Sequence, residues 1–443
     1  MVIEPMISYW ATRETARDIK SGKTALVSST IFSTIAITIY LIIALVVSEN
    51  SQVSRETLFF AAILIPVTFI NRILSAINYG WKPHVERYGF LAAEISKIPA
   101  GILFVYFLQM GVEGAIVATF IGNIISISVL IVFGRRKLKG SFSFDFVKKW
   151  FKLSWISLYP GITGVIIKLD VLIFSILTGA VTGLAYYTAA FAVSSLVIHS
   201  GAISKAIYPK LLGDARKEHL EENLMRLFYF SIPLTAISIA FMKGGLFALN
   251  PAYEIAVIVV FFLSLRAFTS TLTVVFTQSL SGIEKVDMDE KSTFKDYFKS
   301  KLFFVPTVKM IKAGLYIISL VIIFVIFNDS TQIQLVEYWA MAALLIEIPF
   351  TIYFYLVLRR YFEIQIERFT ILKYVIISVG VFGSTFLLAE NYLEYNAEIF
   401  KFLPNLLIFV FIGILGYLGL TYVIDIKTRK LFKSIFNEIR KKN

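Results

Sequence analysis

Apolar residues follow one another along this chain in long runs that short polar stretches separate. Each run has about 20 residues, the length that an α-helix needs to cross the hydrocarbon layer of a membrane. Buried β-strands also give apolar runs, but those are only about 4–8 residues long. We therefore predict twelve transmembrane helices, over residues 24–48, 57–79, 89–109, 113–133, 153–178, 183–207, 225–249, 254–281, 303–327, 335–358, 371–389 and 402–424.

The composition agrees with an all-α membrane protein. Of the 443 residues, 57% are apolar and only 16% are charged, whereas a soluble domain has about 25% charged residues. The chain has no cysteine and three separated histidines, so its residues predict no disulfide, metal site or cofactor. No phosphate-binding loop, zinc motif or nucleophile motif indicates an enzyme.

Positive charge is distributed very unevenly between the connections. One set of alternate connections carries 32 Lys and Arg residues, over 1–23, 80–88, 134–152, 208–224, 282–302, 359–373 and 425–443. The other set carries only Arg55 and Lys401. The positive-inside rule places the first set, and with it both termini of this chain, on the cytoplasmic side of the cell membrane. The net charge of +13 is therefore a topology signal and does not indicate nucleic-acid binding.

Two stretches about 200 residues apart share an order of features. One runs from RETARDIKSGK (13–23) through the turn SAINYGWK to Arg135-Arg136, and the other from GDARKEHLEEN (213–223) through SLSGIEK to Arg359-Arg360. A repeat of this kind occurs in transporters, although any alternating helix bundle shows a similar order. We predict two pseudo-symmetric lobes, 1–152 with four helices and 153–362 with six, followed by two extra helices and a basic tail over 363–443. The first lobe would lack two helices, so we expect a shortened form of a fourteen-helix protein, with Met1–Ala11 as the end of a missing helix.

The most specific pattern lies in residues 153–218. An aspartate inside a helix is followed by a glycine, a G-x-x-Y motif, a helix that ends in proline and an amphipathic charged loop: Asp170, Gly179, Gly183 with Tyr186 or Tyr187 and Ala189, Pro209, and 213–223. This pattern resembles the Wzx-type oligosaccharide flippases of the multidrug/oligosaccharidyl-lipid/polysaccharide (MOP) exporter superfamily, without their first two helices. The resemblance implies a MATE-like helix bundle that moves polyprenyl-pyrophosphate-linked oligosaccharide from the cytoplasmic to the outer leaflet for surface-glycan assembly.

Ionisable residues within the spans require a reason, because a charge at the bilayer centre costs about 2.5–3.5 kcal/mol on insertion scales. Arg266 and Lys168 lie deep in their spans, and Arg72 and Lys312 lie at intermediate depth. Guanidinium and ammonium groups bind phosphate oxygens, so we expect these four cations to form a cationic substrate cavity between the lobes. Four other cations lie near the predicted cytoplasmic ends, where long side chains snorkel to water: Lys97, Lys205, Arg226 and Lys309.

Asp170 and Glu347 are the deep carboxylates. They are candidates for binding a coupling H⁺ or Na⁺, and a role as structural counter-ions to the deep cations is the alternative. Asp170 and Lys168 are two residues apart, about 200° around a helix, so they do not face each other.

Two other functions remain open from the sequence alone. An ion-coupled drug or cation antiporter of the same superfamily is one, although deep cations favour an anionic cargo. A membrane polysaccharide polymerase or glycosyltransferase is the other, but the predicted outward loops are too short for a catalytic domain. The basic amphipathic tail (427–443) predicts contact with anionic lipid headgroups.

Overall fold

A computed structural model describes residues 3–50, 55–178, 182–201, 207–213, 217–286, 293–396, 398–430 and 432–433. Most of these residues are helical. The α-helices in chain order are α1 (Ile3–Ala16), α2 (Gly22–Asn50), α3 (Arg55–Ala61), α4 (Leu64–Trp81), α5 (Pro83–Gly101), α6 (Gly111–Gly134), α7 (Phe144–Lys152), α8 (Ser154–Ile167), α9 (Leu169–Thr178), α10 (Thr182–Ser194), α11 (Ile207–Gly213), α12 (Lys217–Ala240), α13 (Met242–Leu249), α14 (Val257–Gly282), α15 (Phe294–Lys299), α16 (Lys301–Ile326), α17 (Gln332–Arg359), α18 (Arg368–Tyr392) and α19 (Ile399–Ile424). A π-helical turn, Ile102–Phe107, and two 3₁₀ turns, Ser195–Ser200 and Pro251–Ala256, extend three of them.

Eleven helical segments of the described chain are long and apolar enough to cross a membrane. Their apolar side chains are largely exposed in the folded chain: only 11% of the apolar window in Pro83–Phe107 and 17% of that in Ile399–Ile424 is buried. Exposed apolar surface on this scale is typical of a protein that lies in lipid. The predicted all-α, multi-pass membrane fold is therefore confirmed.

The predicted span over 183–207 differs from the other eleven, because α10 gives way to a 3₁₀ turn at Ser195. Three serine hydroxyls in this region donate to carbonyl oxygens three residues earlier: Ser194 to Phe191 at 3.1 Å, Ser195 to Ala192 at 2.7 Å and Ser200 to Val197 at 2.7 Å. Residues 202–206 and the motif glycine Gly179 lie outside the described residues.

The chain folds into two compact units. Unit 1 consists of residues 1–162, 208–215 and 282–303. Its core forms where α1 meets α4, around Trp10, Ile73 and Ile77. Gly80 makes the close approach possible, because a Cβ there would lie 2.4 Å from the carbonyl oxygen of Thr12.

Helix α1 brings buried charges into unit 1. Arg13 is fully buried and donates to the hydroxyl of Tyr208 at 2.8 Å and to the carbonyl oxygen of Glu284 at 3.1 Å. Buried Glu4 forms an ion pair with Arg72 at 3.3 Å. The described part of the predicted segment, residues 3–11, thus belongs to the folded core of unit 1, and the two missing helices stay a prediction.

Unit 2 consists of residues 163–207, 216–281 and 304–443. One of its clusters surrounds Trp339 and joins α9, α10, α14, α16 and α17. A second cluster, around Phe382, Phe402 and Tyr417, forms where α18 and α19 pack on α12. The lobe boundaries predicted after residues 152 and 362 stay predictions.

Gly183 should be sensitive to a single added methyl group. A Cβ at this position would lie 2.4 Å from the ring of Phe174 and 2.8 Å from Oε1 of Gln332, and Phe174 is fully buried. Overpacking of this kind costs about 1–3 kcal/mol, so we expect Gly183→Ala to lower the thermal midpoint of the detergent-solubilised protein. Gly164→Ala is the control, because nothing lies within 4 Å of its added Cβ. Equal midpoints for the two variants would contradict the close contact.

The predicted orientation can be tested with single cysteines, because the chain has none of its own. Lys139 and Glu394 are both exposed in short connections between helices. We expect a membrane-impermeant maleimide to label Glu394→Cys in intact cells, and to label Lys139→Cys only after the cells are opened. The reverse pattern would invert the topology.

Candidate functional site

Four ionisable residues of unit 2 lie near the middle of their helical segments. Asp170 lies in the segment 158–178, Arg266 in 251–282, Lys312 in 301–326 and Glu347 in 332–359. Each is about two or more helical turns from either end of its segment. Snorkelling to water is therefore unfavourable, and the charges must be compensated within the protein.

Lys312 and Glu347 form a close ion pair between α16 and α17. The Lys312 ammonium lies 3.0 Å from Oε1 and 2.8 Å from Oε2 of Glu347. The Glu347 side chain is 6% exposed and that of Lys312 is 14% exposed. A buried pair of this geometry compensates both charges, whereas either charge alone would carry a desolvation cost of several kcal/mol.

Two threonine hydroxyls complete the surroundings of Glu347. Thr273 of α14 donates to Oε1 at 2.9 Å, and the hydroxyls of Thr273 and Thr351 lie 2.6 Å apart. Thr351 also donates to the carbonyl oxygen of Glu347 at 2.9 Å. Both threonines are buried, and the carboxylate of Glu347 on α17 is contacted by side chains of two other helices, α14 and α16.

Asp170 is held by a second group of hydrogen-bonded side chains. Its Oδ2 accepts a hydrogen bond from the hydroxyl of Tyr316 at 2.8 Å, and that hydroxyl accepts one from Nε1 of Trp339 at 2.7 Å. Helix α8 ends at Ile167 and α9 begins at Leu169, and between them the hydrogen bond from the N–H of Lys168 to the oxygen of Gly164 is long, at 3.4 Å. Asp170 thereby lies in the first turn of α9, where a carboxylate interacts favourably with the helix dipole.

Arg266 lies beside these hydrogen-bonded side chains. Its guanidinium is 5.5 Å from the centre of the Tyr316 ring and donates to the hydroxyl of Tyr187 at 3.3 Å. The Tyr187 ring stacks on Trp339 with centroids 3.9 Å apart. A cation over an aromatic face is stabilised by the ring quadrupole, so aromatic groups compensate Arg266 where Lys312 has a carboxylate.

A small cavity lies among these groups. It is lined by Arg266, Lys312, Tyr316 and Glu347, together with apolar residues of α8, α16 and α17, and its volume is about 20 Å³. One water molecule needs about 10–15 Å³. The cavity therefore accommodates about one water molecule in this conformation.

The structure brings together four of the six predicted site residues: Arg266, Lys312, Asp170 and Glu347. Lys168 belongs to the same unit but its side chain is exposed, while Asp170 two residues later is buried. Arg72 belongs to unit 1, where Glu4 is its ion-pair partner. A role for Lys168 or Arg72 in a substrate cavity stays a prediction.

Several groups of the site were not selected from the sequence. Thr273, Thr351, Tyr187 and Tyr316 are ordinary residues of membrane helices, and only their partners distinguish them. Lys309 was assigned to snorkelling, but its side chain is partly buried and close enough to interact electrostatically with Lys312 and Glu347. Its spacing of three residues from Lys312 was the available signal, because such residues share a helix face.

Comparisons with known proteins identify the fold. No family model matches the sequence, and no curated protein matches it. Among solved structures, an outward-facing multidrug resistance MATE family transporter of the MOP superfamily is 15% identical, with a TM-score of 0.59 over 81% of this chain and 83% of that chain. The bent form of the Vibrio cholerae MATE transporter VcmN is 11% identical, with a TM-score of 0.60 over 81% and 85% of the two chains.

A MOP superfamily transporter from Pyrococcus furiosus is also similar, at 17% identity and a TM-score of 0.58 over 80% of this chain and 83% of that chain. The reverse polarity of its binding pocket suggests a different function for that protein. At these identities the likeness shows the fold. The chain is a multi-pass membrane protein with the helical fold of the MATE and MOP superfamily transporters.

Removal of the Tyr316 hydroxyl should destabilise the protein more than removal of any other hydroxyl of the site. Tyr316→Phe removes the donor to Asp170 and the acceptor for Trp339, and an unpaired buried polar group costs about 1–3 kcal/mol. We expect a lower thermal midpoint in detergent. Tyr186→Phe is the matched control, because the described contact of Tyr186, on α10, is with the ring of Tyr253, and the substitution keeps that ring contact. An unchanged midpoint for Tyr316→Phe would show that the chain Asp170–Tyr316–Trp339 carries no stabilisation.

Proposed function

We propose that this chain is a membrane transporter that flips lipid-pyrophosphate-linked oligosaccharide from the cytoplasmic to the outer leaflet by alternating access. The observation that carries the proposal is the balance of charge in the middle of unit 2. Three cations, Arg266, Lys309 and Lys312, lie near two carboxylates, Asp170 and Glu347. The group has an excess of positive charge when all its members are ionised, which favours an anionic cargo.

Arg266 is the residue best suited to receive the pyrophosphate. A guanidinium has five N–H donors, and the described contacts of Arg266 use one of them, in a long hydrogen bond to a neutral tyrosine hydroxyl. Charge-assisted bonds to phosphate are about twice as strong as neutral ones and are often bidentate. A pyrophosphate therefore competes well with Tyr187 for this side chain.

Binding requires the site to open. The cavity beside Arg266 has a volume of about 20 Å³, room for about one water molecule, and a pyrophosphate is much larger. The helices of unit 2 must separate locally before the anion reaches Arg266 and Lys312. Such a change between closed and open forms is what alternating access requires.

The antiporter of cationic drugs is the second candidate, since the MATE fold also serves multidrug resistance transporters. A cationic drug needs an accessible carboxylate in the site. Glu347 is engaged by Lys312 and Asp170 by Tyr316, which disfavours this cargo. The Pyrococcus furiosus transporter with its reverse binding-pocket polarity supports the idea that this fold also serves cargo of another charge.

Deletion of the gene in its native cell separates the candidates. The flippase proposal predicts complete lipid-linked oligosaccharide trapped on the cytoplasmic face and loss of surface glycan. Single repeat units stranded on the outer face would instead indicate a polymerase. An unchanged distribution of lipid-linked intermediates, together with new sensitivity to cationic drugs, would indicate the antiporter.

Substitution of Arg266 tests the site within that experiment. We expect Arg266→Ala to lower the flipping rate in the complemented deletion strain by about 10- to 100-fold, because a hydrogen bond to a charged group contributes about 1.5–3 kcal/mol. Arg266→Lys should give an intermediate rate, since it keeps the charge but loses the bidentate fork. The rate is measured from oligosaccharide that appears on the outer leaflet.

Lys243→Ala is the control for a cation away from the site, because Lys243 is exposed and pairs with Glu254. Immunoblots must show equal protein abundance for all variants. Flipping at the wild-type rate in Arg266→Ala would refute the assignment of the pyrophosphate to this residue.

A further inference from the structure

The surroundings of the Lys312 ammonium are rich in buried oxygen atoms. Both carboxylate oxygens of Glu347 lie within 3.0 Å of it. The hydroxyl of Thr273 donates to Oε1 of this carboxylate at 2.9 Å, and the hydroxyl of Thr351 lies 2.6 Å from that of Thr273. The carbonyl oxygen of Thr269 lies 3.2 Å from the Thr273 hydroxyl. Carboxylate, hydroxyl and carbonyl oxygens are the donors that hard cations prefer.

A buried carboxylate in such a place must be neutralised. An isolated anion in a low-dielectric interior is strongly unfavourable, and a positive charge within hydrogen-bond distance removes most of this cost. A free alkali-metal ion is one way to supply that charge. In this chain the ammonium of Lys312 supplies it, from a side chain that is itself 14% exposed.

We propose that Lys312 is a tethered counter-cation, which occupies the position that a free Na⁺ would otherwise take beside Glu347. The cluster of Glu347, Thr273 and Thr351 is thus a latent cation site that the protein fills with its own ammonium group. Because the tethered ammonium cannot diffuse away, folding and function of unit 2 do not require a bound Na⁺ at Glu347. This inference is independent of the cargo and holds for an oligosaccharide flippase or for a drug transporter.

A tethered counter-cation also determines whether Glu347 binds a coupling ion. Glu347 was a sequence candidate for a coupling H⁺ or Na⁺. If its counter-cation is covalently attached, external Na⁺ does not bind at this carboxylate and does not stabilise the protein there while Lys312 is present. Removal of the ammonium leaves the Glu347 carboxylate without its hydrogen-bonded counter-cation, and external Na⁺ should then bind.

Thermal unfolding of the purified full-length protein in detergent tests this directly. The midpoint is measured in choline chloride and in NaCl at equal ionic strength, with KCl as a second salt. We expect the wild-type midpoint to be the same in choline chloride and NaCl. Lys312→Met should unfold several degrees lower than wild type in choline chloride, and NaCl should restore much of the loss in a saturable manner.

Three further variants test whether the response to Na⁺ comes from Glu347 and the missing Lys312 ammonium. Lys312→Met combined with Glu347→Gln removes both charges, so its midpoint should not respond to Na⁺. Lys309→Met removes a neighbouring ammonium from the same helix face and should also leave the midpoint insensitive to Na⁺. Lys312→Ala repeats the test with a smaller side chain that leaves more room for the ion.

Three results would overturn the inference. A wild-type midpoint that rises with Na⁺, and loses this response in Glu347→Gln, would show that Glu347 binds an external cation beside Lys312. Folded Lys312→Met and Lys312→Ala that unfold alike in both salts would show that the oxygen cluster is no cation site. Failure of both variants to fold in NaCl as well as in choline chloride would show that Na⁺ does not replace the ammonium. Because none of these readouts uses a cargo, failure of the flippase proposal leaves them unaffected.

Discussion

The ion pair between Lys312 and Glu347 is the interaction on which the described site depends. It lies near the middle of two helical segments of membrane-spanning length, where an uncompensated charge costs several kcal/mol. The carboxylate also accepts a hydrogen bond from Thr273, so the pair connects α14, α16 and α17. Helix packing in a membrane lacks the hydrophobic driving force that acts in water. A polar connection of this kind therefore does part of the work of aligning the three helices.

Hydrogen bonds from other side chains compensate the second buried carboxylate, Asp170. Asp170 accepts a hydrogen bond from the Tyr316 hydroxyl, which in turn accepts one from Nε1 of Trp339. Arg266 is the member whose charge is compensated by aromatic faces and a tyrosine hydroxyl. Arg266 is therefore more available to an anion than Lys312, whose ammonium is engaged by the Glu347 carboxylate, and the proposed function rests on that difference.

The sequence predicted the class of fold and much of the site, because both follow from local signals. Long apolar runs identified eleven of the twelve predicted spans as membrane-length helices, and depth within those runs identified Arg266, Lys312, Asp170 and Glu347. The twelfth predicted span, over 183–207, is described only to residue 201, and there α10 gives way to a 3₁₀ turn at Ser195. The interaction partners of the site residues could not be predicted in the same way: Lys312 and Glu347 are 35 residues apart on different helices, and no local pattern links them.

Lys168 is as deep in sequence as Asp170, but the two residues point to different sides of the helical segment, so Lys168 is exposed and Asp170 is buried. Arg72 pairs with Glu4 on α1. No local pattern predicted this ion pair, because the segment that carries Glu4 was interpreted as the end of a missing helix.

The central claim is that positive charge in the middle of unit 2 selects a cargo that carries pyrophosphate. Calorimetric titration of the purified protein with a short-chain prenyl pyrophosphate tests this claim most directly. The account predicts saturable binding that inorganic pyrophosphate competes for, and an affinity that falls at least about tenfold in Arg266→Gln but not in Lys243→Gln. Equal affinity in Arg266→Gln and wild type, or saturable binding of a cationic drug that Glu347→Gln abolishes, would contradict it.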